Sequence, residues 1–262
     1  MISELYRRYD IKHDRKFSHL PLVPYFKSAF RKLAFRKLEG FEREPGKEML
    51  LRGEDWDNLI ILDACRHDLF EEVVGESDFR YSPGSNSAQF IMKMFSDADF
   101  SDAVYVTANP HFHDSQFREL TGKKPDEVFH TVFHSYEEKW NHEESTVLPQ
   151  DLMEDVRTAK KLFPGKKVIV HFMQPHYPFV NSEMGGGSIT PDLDHENEEY
   201  SAWQLAELGE YSRQEVWNAY RDNLEYVLDE IMEELRELEG KTVITSDHGN
   251  LVGEHDFYGH PY

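Results

Sequence analysis

Short apolar runs alternate along the chain with longer stretches in which apolar residues recur at helical spacing. Compact apolar runs typical of strands cover residues 58–62, 78–81, 103–107, 127–133, 167–172 and 242–245. Helical spacing is clearest at residues 149–163 and 212–238. Because strands and helices alternate in this order, we expect an α/β fold in three layers, with a mostly parallel central sheet and helices on both faces.

The charge of the chain narrows the choice of partners. Acidic residues outnumber basic ones by 50 to 29 and give a net charge of −21, which argues against nucleic acid as a partner. Solubility is one explanation for this charge, and a halophilic, high-salt cytoplasm is the other. Residues 1–43 differ from the rest, with 11 basic residues against 5 acidic ones. The sequence therefore predicts a basic arm on an acidic body.

The predicted arm covers residues 1–45, and the predicted α/β domain covers residues 46–262. Within the arm, residues 24–40 place Phe and Leu on one helical face and surround them with Lys and Arg. This pattern indicates a basic amphipathic helix. We expect it to pack against the acidic body, and peripheral contact with an anionic membrane surface is the alternative.

The sequence also predicts a compartment. No run approaches the ~20 apolar residues of a membrane span, and the N-terminus lacks the apolar core of a signal peptide. The single cysteine, Cys65, excludes an intrachain disulfide and suits a reducing compartment, and we expect it to be a small buried residue. A cytoplasmic protein is therefore predicted, with a membrane-peripheral location as the alternative.

Polar groups cluster at the ends of several predicted strands. Asp63 follows the first strand, Asp247 and His248 follow the last, and the turns at 85–87 and 174–176 lie between them. The carboxyl ends of parallel strands share one edge of a sheet, so we expect these groups to converge. Carboxylates, a hydroxyl and an imidazole suit Zn²⁺, Mn²⁺ or a similar ion. A metal-bound serine hydroxyl has a lowered pKa and can attack phosphorus.

Four motifs in order also carry a resemblance to a known family: ILDACRHD, SPGSNSAQF, VHFMQPHYPF and ITSDHGNLVGEHDFYGHP. They resemble the alkaline phosphatase superfamily, specifically its sulfatase-like and lipoteichoic-acid-synthase-like branch, over residues 58–262. The resemblance implies an alkaline-phosphatase-like fold. In that branch more chain follows the GHP motif, so we expect residues 46–262 to be a sulfatase-like domain that is incomplete at its C-terminus, in a shortened, haloarchaeal-type member.

The resemblance assigns roles to particular residues. Carried over by position, it implies that Asp63, Ser87, Asp247 and His248 are the metal ligands. Ser87 is also the expected nucleophile, because family turns of the form Ser-aromatic-Thr align best with it. Ser85 is the alternative nucleophile, and a helix N-cap is the alternative role for Ser87.

Three further residues are expected to meet the substrate. The resemblance implies that His176 in QPHYP is a catalytic residue that contacts the transferred group or the leaving group. His260 in YGHP corresponds to a late histidine that serves either the substrate or a second metal. Asn86, inside the serine turn, is expected to bind substrate beside them.

These residues indicate a reaction class. A serine nucleophile implies a covalent phosphoenzyme, so we expect a hydrolase or transferase of phosphate esters or, as the lesser expectation, sulfate esters. One divalent ion is expected, Mn²⁺, Zn²⁺, Mg²⁺ or Ca²⁺, and a second is not favoured because no Asp-x-x-x-His pattern surrounds His176. A sulfatase acting on glycan sulfate esters is an alternative, although the formylglycine signature is absent. A degenerate binding or assembly module is the second alternative.

Overall fold

Runs of Val, Ile, Leu and Phe build the main sheet, because strands covered on both faces bury nearly all of their side chains. The computed structural model describes residues 44–49, 51–184 and 200–260, and the predicted arm and its helix at 24–40 lie outside this part. The strands are β1 (Asn58–Asp63), β2 (Phe100–Thr107), β3 (Phe129–His134), β4 (Trp140–Asn141), β5 (Thr146–Val147), β6 (Lys167–Pro175), β7 (Thr242–Ser246), β8 (Leu251–Glu254) and β9 (Phe257–Gly259).

Five of these strands form the central sheet, in the order β3-β2-β6-β1-β7. Every neighbouring pair in it is parallel. The strands β4 and β5 form a small antiparallel pair, and so do β8 and β9. Because all five central strands run the same way, the loops that follow them meet at one edge. The expected mostly parallel sheet is confirmed.

Helices cover both faces of the sheet and complete the predicted α/β architecture. They are α1 (His67–Val74), α2 (Ser87–Phe95), α3 (Asp114–Thr121), α4 (Ser135–Glu138), α5 (Pro149–Leu162), α6 (Ala202–Glu207) and α7 (Arg213–Glu237). The longest, α7, starts in a capping box, in which Ser212 and Glu215 each accept the other's backbone N–H. No helix in the described ranges is both long and apolar enough to span a bilayer.

Two kinds of packing hold these layers together. On one side α5 and α7 pack against β6 and against each other. On the other side aromatic rings fill the space between the sheet and its helices, and Tyr105 stacks on Phe112 with 4.2 Å between ring centroids. Further rings of this aromatic cluster are Phe90, Phe95, Phe100, Phe117 and Phe129. Offset and edge-to-face ring pairs stabilise a core beyond the area that they bury.

The structure departs from the predicted elements in several places. The prediction of a strand at 78–81 is wrong, since within this range only Tyr81 makes a bridge, to Glu48. The Asp78 carboxylate accepts the Phe79 N–H over 3.0 Å, and such local bonding competes with a strand ladder. The helix α3 and the β8–β9 hairpin were not predicted at all. The strand β6 runs three residues beyond its predicted end, which places Gln174 and Pro175 inside it.

Candidate active site

Two aspartates lie side by side at the ends of neighbouring strands. Leu62 of β1 pairs with Ser246 of β7, so the next residues, Asp63 and Asp247, lie at adjacent strand ends. Their exposed fractions are 1% and 0%. The Ala64 N–H donates to Asp247 Oδ1 over 2.9 Å. Asp63 Oδ1 and Asp247 Oδ2 are buried and have no hydrogen-bond partner in the part of the chain that the structure describes.

Ser87 approaches this pair from the first turn of α2. Its Oγ lies 3.1 Å from Asp63 Oδ2 and 3.4 Å from His248 Nε2. Ser87 does not cap the helix, because Asn86 is the N-cap and its Oδ1 accepts the Gln89 N–H over 2.9 Å. The cap therefore fixes the start of α2, and the next residue, Ser87, directs its hydroxyl into the aspartate pair.

The other two residues of the serine turn are used differently. The Ser85 hydroxyl and the Ser85 N–H both lie 3.3 Å from Gln89 Oε1, to which they donate. Asn86 uses its side-chain oxygen for the cap. Of the two serines proposed as nucleophile, the structure thus places Ser87, which is 8% exposed, against Asp63 and His248.

His248 completes the group around the aspartates. Its Nε2 lies 3.4 Å from Asp63 Oδ1 and 3.6 Å from Asp247 Oδ2, while its Nδ1 lies 3.3 Å from the Gly249 carbonyl oxygen. Burial alone would lower the pKa of His248, but the charges of Asp247 and Asp63 outweigh it and raise the pKa to about 9. Burial would likewise raise the pKa of Asp247, yet His248, His171 and the Ala64 N–H hold it well below its usual value.

Four of the distances among these residues suit the ligands of one cation. Ligands that bind Zn²⁺ tetrahedrally at about 2.0–2.1 Å are separated by about 3.3 Å from one another. The four distances given above that join Ser87, Asp63, Asp247 and His248 run from 3.1 to 3.6 Å. Two carboxylate oxygens of this group have no hydrogen-bond partner among the described residues, as expected for atoms that face an ion. The residues present therefore fit a divalent metal.

A fifth residue, which the sequence did not predict, lies at this centre. His171 of β6 is fully buried, and its Nε2 lies 3.8 Å from Asp63 Oδ2 and 3.7 Å from Asp247 Oδ2. Asp63, His171 and Asp247 form a group that can hold a metal ion. The only signal in the sequence was a polar residue inside an otherwise apolar strand, VIVHFM, which a structural core histidine explains equally well.

Asn109 is the second missed residue. It follows β2, and its Nδ2 donates to Asp63 Oδ2 over 2.9 Å. Its own Oδ1 accepts the His111 N–H over 3.0 Å, which starts the short helix Pro110–Phe112 and fixes the amide. Asn109 is 2% exposed. Partners of this kind orient a metal-binding carboxylate, so Asn109 is a support for Asp63.

The two histidines expected to meet the substrate lie together beside His248. His176 Nε2 and His260 Nε2 are 3.4 Å apart. The His248 ring centroid lies 6.3 Å from that of His176 and 5.1 Å from that of His260. Burial, together with the neighbouring His176 and His248, lowers the pKa of His260 to about 3. The structure thus gathers His176, His248 and His260 on one side of the candidate centre.

Residues outside the centre hold its two loops in place. Ala64 has a positive φ of 59°, and its carbonyl accepts a hydrogen bond from the Tyr220 hydroxyl of α7. Arg66 Nη1 donates to the Asn250 carbonyl over 3.0 Å and to Glu254 Oε1 over 2.9 Å, which joins the loop after β1 to the loop after β7 and to the end of β8. A Cβ on Gly249 would meet the Arg66 side chain at 3.1 Å. These contacts set the separation of the two aspartates.

Comparison with known proteins gives a likeness in structure. No protein-family model matches the chain, and neither does any curated protein sequence. The solved soluble domain of lipooligosaccharide phosphoethanolamine transferase A from Neisseria meningitidis matches with a TM-score of 0.50 and 15% identity, over 78% of this chain and 70% of that one. The integral membrane form of that transferase gives a TM-score of 0.49 and 14% identity, over 100% and 55%. The chain therefore shares its α/β fold with that soluble domain.

Proposed function

We propose that the protein is a metal-dependent enzyme that transfers or hydrolyses phosphate esters, with Ser87 as the nucleophile. The observation that carries this proposal is the position of Ser87 Oγ, which lies 3.1 Å from Asp63 Oδ2 and 3.4 Å from His248 Nε2 at the start of a helix. A hydroxyl in contact with a carboxylate and an imidazole that face a common point is suited to nucleophilic attack. The shared fold with a phosphoethanolamine transferase agrees with this reaction class.

The proposed metal ligands are Asp63, Ser87, Asp247 and His248. Bound there, a divalent ion would lower the pKa of the Ser87 hydroxyl and offset negative charge on the phosphoryl group. His248 suits this role because its Nδ1 faces the Gly249 carbonyl oxygen, which only accepts hydrogen bonds. The proton of the neutral imidazole then lies on Nδ1, and the lone pair of Nε2 faces the carboxylates.

The reaction divides into two displacements. In the first, the Ser87 hydroxyl loses its proton, Ser87 Oγ forms a bond to phosphorus, and the bond from phosphorus to the leaving-group oxygen breaks. The departing oxygen takes up one proton. In the second, the oxygen of water or of an acceptor alcohol forms a bond to the same phosphorus and loses a proton, the bond from phosphorus to Ser87 Oγ breaks, and Ser87 Oγ takes up one proton to become a hydroxyl again. Water gives hydrolysis, and an alcohol gives transfer.

Two further groups would stabilise the phosphoryl oxygens. The N-terminus of α2 presents backbone N–H groups and the positive end of the helix dipole beside Ser87, and such a terminus favours an anion. His176 and His260 lie beside His248, with ring centroids 6.3 and 5.1 Å from its own. We propose that these two histidines contact the transferred group or the leaving group. Asn86 uses its side-chain oxygen as the helix cap, so its contribution to substrate binding would come through the placement of α2.

Trapping the phosphoenzyme tests this proposal. The protein is loaded with Zn²⁺ or Mn²⁺, mixed with a chromogenic phosphomonoester or phosphodiester or with a phosphoethanolamine ester, and quenched in acid. Peptide mass spectrometry should then find a phosphoryl-group mass on Ser87. Ser87→Ala should abolish turnover and labelling while Asp63, Asp247 and His248 still bind metal, and Ser85→Ala is the matched control that should keep turnover and labelling.

The other outcomes each point to a different conclusion. Labelling on Ser85 would transfer the nucleophile assignment to that residue. Turnover of a chromogenic sulfate ester, but of no phosphate ester, would replace the proposal with the sulfatase alternative. If the protein binds metal tightly but turns over none of these esters and is never labelled, the proposed activity is wrong and the binding-module alternative replaces it.

A further inference from the structure

Two histidines face the same pair of carboxylates, and their second ring nitrogens have different partners. His248 Nε2 and His171 Nε2 both lie within 3.8 Å of Asp63 and Asp247 oxygens. His248 Nδ1 lies against a carbonyl oxygen, whereas His171 Nδ1 lies 2.9 Å from the hydroxyl of Tyr105. A carbonyl only accepts a hydrogen bond, but a hydroxyl both donates and accepts. The two imidazoles are therefore held in different environments.

The surroundings of Tyr105 decide which way its hydrogen bond runs. The ring is fully buried and stacks on Phe112. Within the described residues, its hydroxyl has His171 Nδ1 as its one hydrogen-bond partner. If the hydroxyl accepted a proton from His171, its own proton would be buried without an acceptor, which costs about 1–3 kcal/mol. The Tyr105 hydroxyl therefore donates, and His171 Nδ1 accepts.

This direction fixes the state of the opposite nitrogen. When Nδ1 of a neutral imidazole accepts a hydrogen bond, the ring proton lies on Nε2. In His171 that proton faces Asp63 Oδ2 and Asp247 Oδ2, which lie 3.8 and 3.7 Å from the nitrogen, beyond hydrogen-bonding distance, and among the described residues Nε2 has no hydrogen-bond partner. An Nε2 that carries a proton has no lone pair for a metal. The His171 N–H instead faces the two carboxylates.

We propose that His171 is a positioning residue, held by Tyr105 as the Nε2–H tautomer, that turns its N–H toward the two aspartates and does not ligate the metal. The proposal rests on the proposed metal site and refines it. Of the two histidines that face the aspartates, only His248 is then a metal ligand. It also separates His171 from the three-residue group Asp63, His171 and Asp247, which by distance alone fits a metal.

The tautomers can be read directly by long-range proton–nitrogen correlation NMR on ¹⁵N-labelled protein. The His171 signals are assigned by their absence in His171→Gln. We expect His171 Nε2 to be protonated and Nδ1 unprotonated, both with chelator and with Zn²⁺, whereas the His248 Nε2 signal should shift when Zn²⁺ binds and should be that of an unprotonated nitrogen in the Zn²⁺ sample. An unprotonated His171 Nε2 that shifts with Zn²⁺ would overturn the proposal. The chelated sample decides the tautomer even if the protein binds no metal and turns over no ester.

Variants at Tyr105 test how the tautomer is held. Tyr105→Phe keeps the stacked ring and removes the donor, so the His171 spectrum should show both tautomers and Zn²⁺ affinity should fall by about tenfold, as for other partners outside the ligand set. Tyr136→Phe is the matched control, since Tyr136 is also buried and bonds to His134 Nδ1 over 3.1 Å. It should leave the His171 spectrum and Zn²⁺ affinity unchanged. A Tyr105→Phe protein with an unaltered His171 spectrum would refute the role of Tyr105.

Replacement of Zn²⁺ by ¹¹³Cd²⁺ provides a second readout of the ligand set. Coupling between the cadmium nucleus and ring nitrogens counts the histidines that bind the ion. We expect coupling to His248 and none to His171. Coupling to both imidazoles would make His171 a ligand and overturn the inference, while leaving the proposed phosphate-ester chemistry intact.

Discussion

The inner and outer parts of the candidate site are built differently. The inner part, Asp63, Ser87, Asp247 and His248, has exposed fractions of 1%, 8%, 0% and 4%. The outer part, His176 and His260, is half-buried. In the inner part, Asp247 Oδ1 accepts two backbone N–H groups, from Ala64 over 2.9 Å and from its neighbour His248 over 2.8 Å. The two outer side chains contact each other through their Nε2 atoms.

The difference in burial and hydrogen bonding indicates that the inner and outer parts have different roles. The inner groups are fixed by backbone donors and buried neighbours, and two of their carboxylate oxygens have no hydrogen-bond partner among the described residues, which suits a site that is preorganised for an ion. The outer histidines are more accessible and can bond to a group that enters and leaves. We infer that the inner part retains the metal while the outer part meets the substrate. Substitutions in the two parts should therefore change different measurements.

The largest effect is expected when the inner part is broken. Asp247→Ala removes a proposed charged ligand, so we expect metal binding and turnover to be abolished. The loss of metal affinity should exceed the roughly 10- to 100-fold that follows when a residue that only hydrogen-bonds to a ligand is removed. Metal content is measured by elemental analysis after dialysis and affinity by calorimetry. Asp247→Asn gives the same test in a variant whose amide oxygen can still accept the Ala64 N–H.

The matched control for this test is Asp229→Ala, which removes an exposed aspartate from α7. It should leave metal content and turnover unchanged. Unaltered metal content in both Asp247 variants would remove Asp247 from the ligand set and would end the distinction between an inner and an outer part.

The next largest effect is expected in the outer part. His176→Ala or His260→Ala should lower kcat/KM by roughly 100-fold or more, the range in which single acid–base or charge-stabilising groups contribute, while metal content stays at the wild-type value. Steady-state kinetics and metal analysis on the same preparation check this. His130→Ala is a control, because His130 packs on Phe163 at the opposite end of β3 from His134. A loss of metal in the His176 variant would place that residue in the inner part.

Much of the fold was predictable because both faces of the central strands are covered. A run such as NLIIL in β1 has no polar face, and its burial is continuous. The prediction failed where local polar bonds replaced ladder bonds, as at Asp78, and where an element is short, as in the β8–β9 hairpin. Short elements depend on tertiary contacts that spacing along the chain does not reveal.

The candidate site was predictable only in part, for a related reason. Asp63, Asp247 and His248 lie directly after apolar strands, so their position at the sheet edge follows from the strand pattern. His171 lies inside β6, and its proximity to both aspartates depends on β6 being the neighbour of β1. The strand order of a sheet cannot be read from one strand's composition. Asn109 was missed because it contacts Asp63 through a loop whose path no sequence pattern marks.

A smaller effect is expected when a hydrogen bond next to the inner part is removed. Tyr220→Phe removes the hydroxyl that donates to the Ala64 carbonyl and leaves that buried oxygen without this bond. We expect the free energy of unfolding to fall by about 1–3 kcal/mol and metal affinity to fall several-fold, since Ala64 also donates to Asp247. Urea unfolding and calorimetry measure the two quantities. Tyr226→Phe, which loses a bond to Gln150 near the surface of the same helix, should change neither by a comparable amount.

The smallest effect concerns the contact between Arg66, in the loop after β1, and Glu254, at the end of β8. Glu254 accepts a hydrogen bond from Arg66 over 2.9 Å and another from Arg213 over 3.0 Å. Burial alone would raise the pKa of Glu254, but Arg66 and the Val252 N–H outweigh it and lower the pKa below its usual value. The charged carboxylate therefore stabilises the fold above its ordinary pKa, and this contribution is lost as the pH falls through the lowered value. At pH 7 Glu254→Gln should cost about 1 kcal/mol, a small figure because the pair is partly exposed.

The pH dependence makes this prediction specific. In urea unfolding of the chelated protein, the stability difference between wild type and Glu254→Gln should be largest near pH 7 and should shrink as the pH falls through the range in which Glu254 takes up its proton. Glu233→Gln, an exposed change on α7, should show no such trend. A difference that stays constant down to acid pH would mean that Glu254 acts through its shape alone. In that case the charge of Arg66 would contribute nothing to joining the loops that carry Asp63 and Asp247.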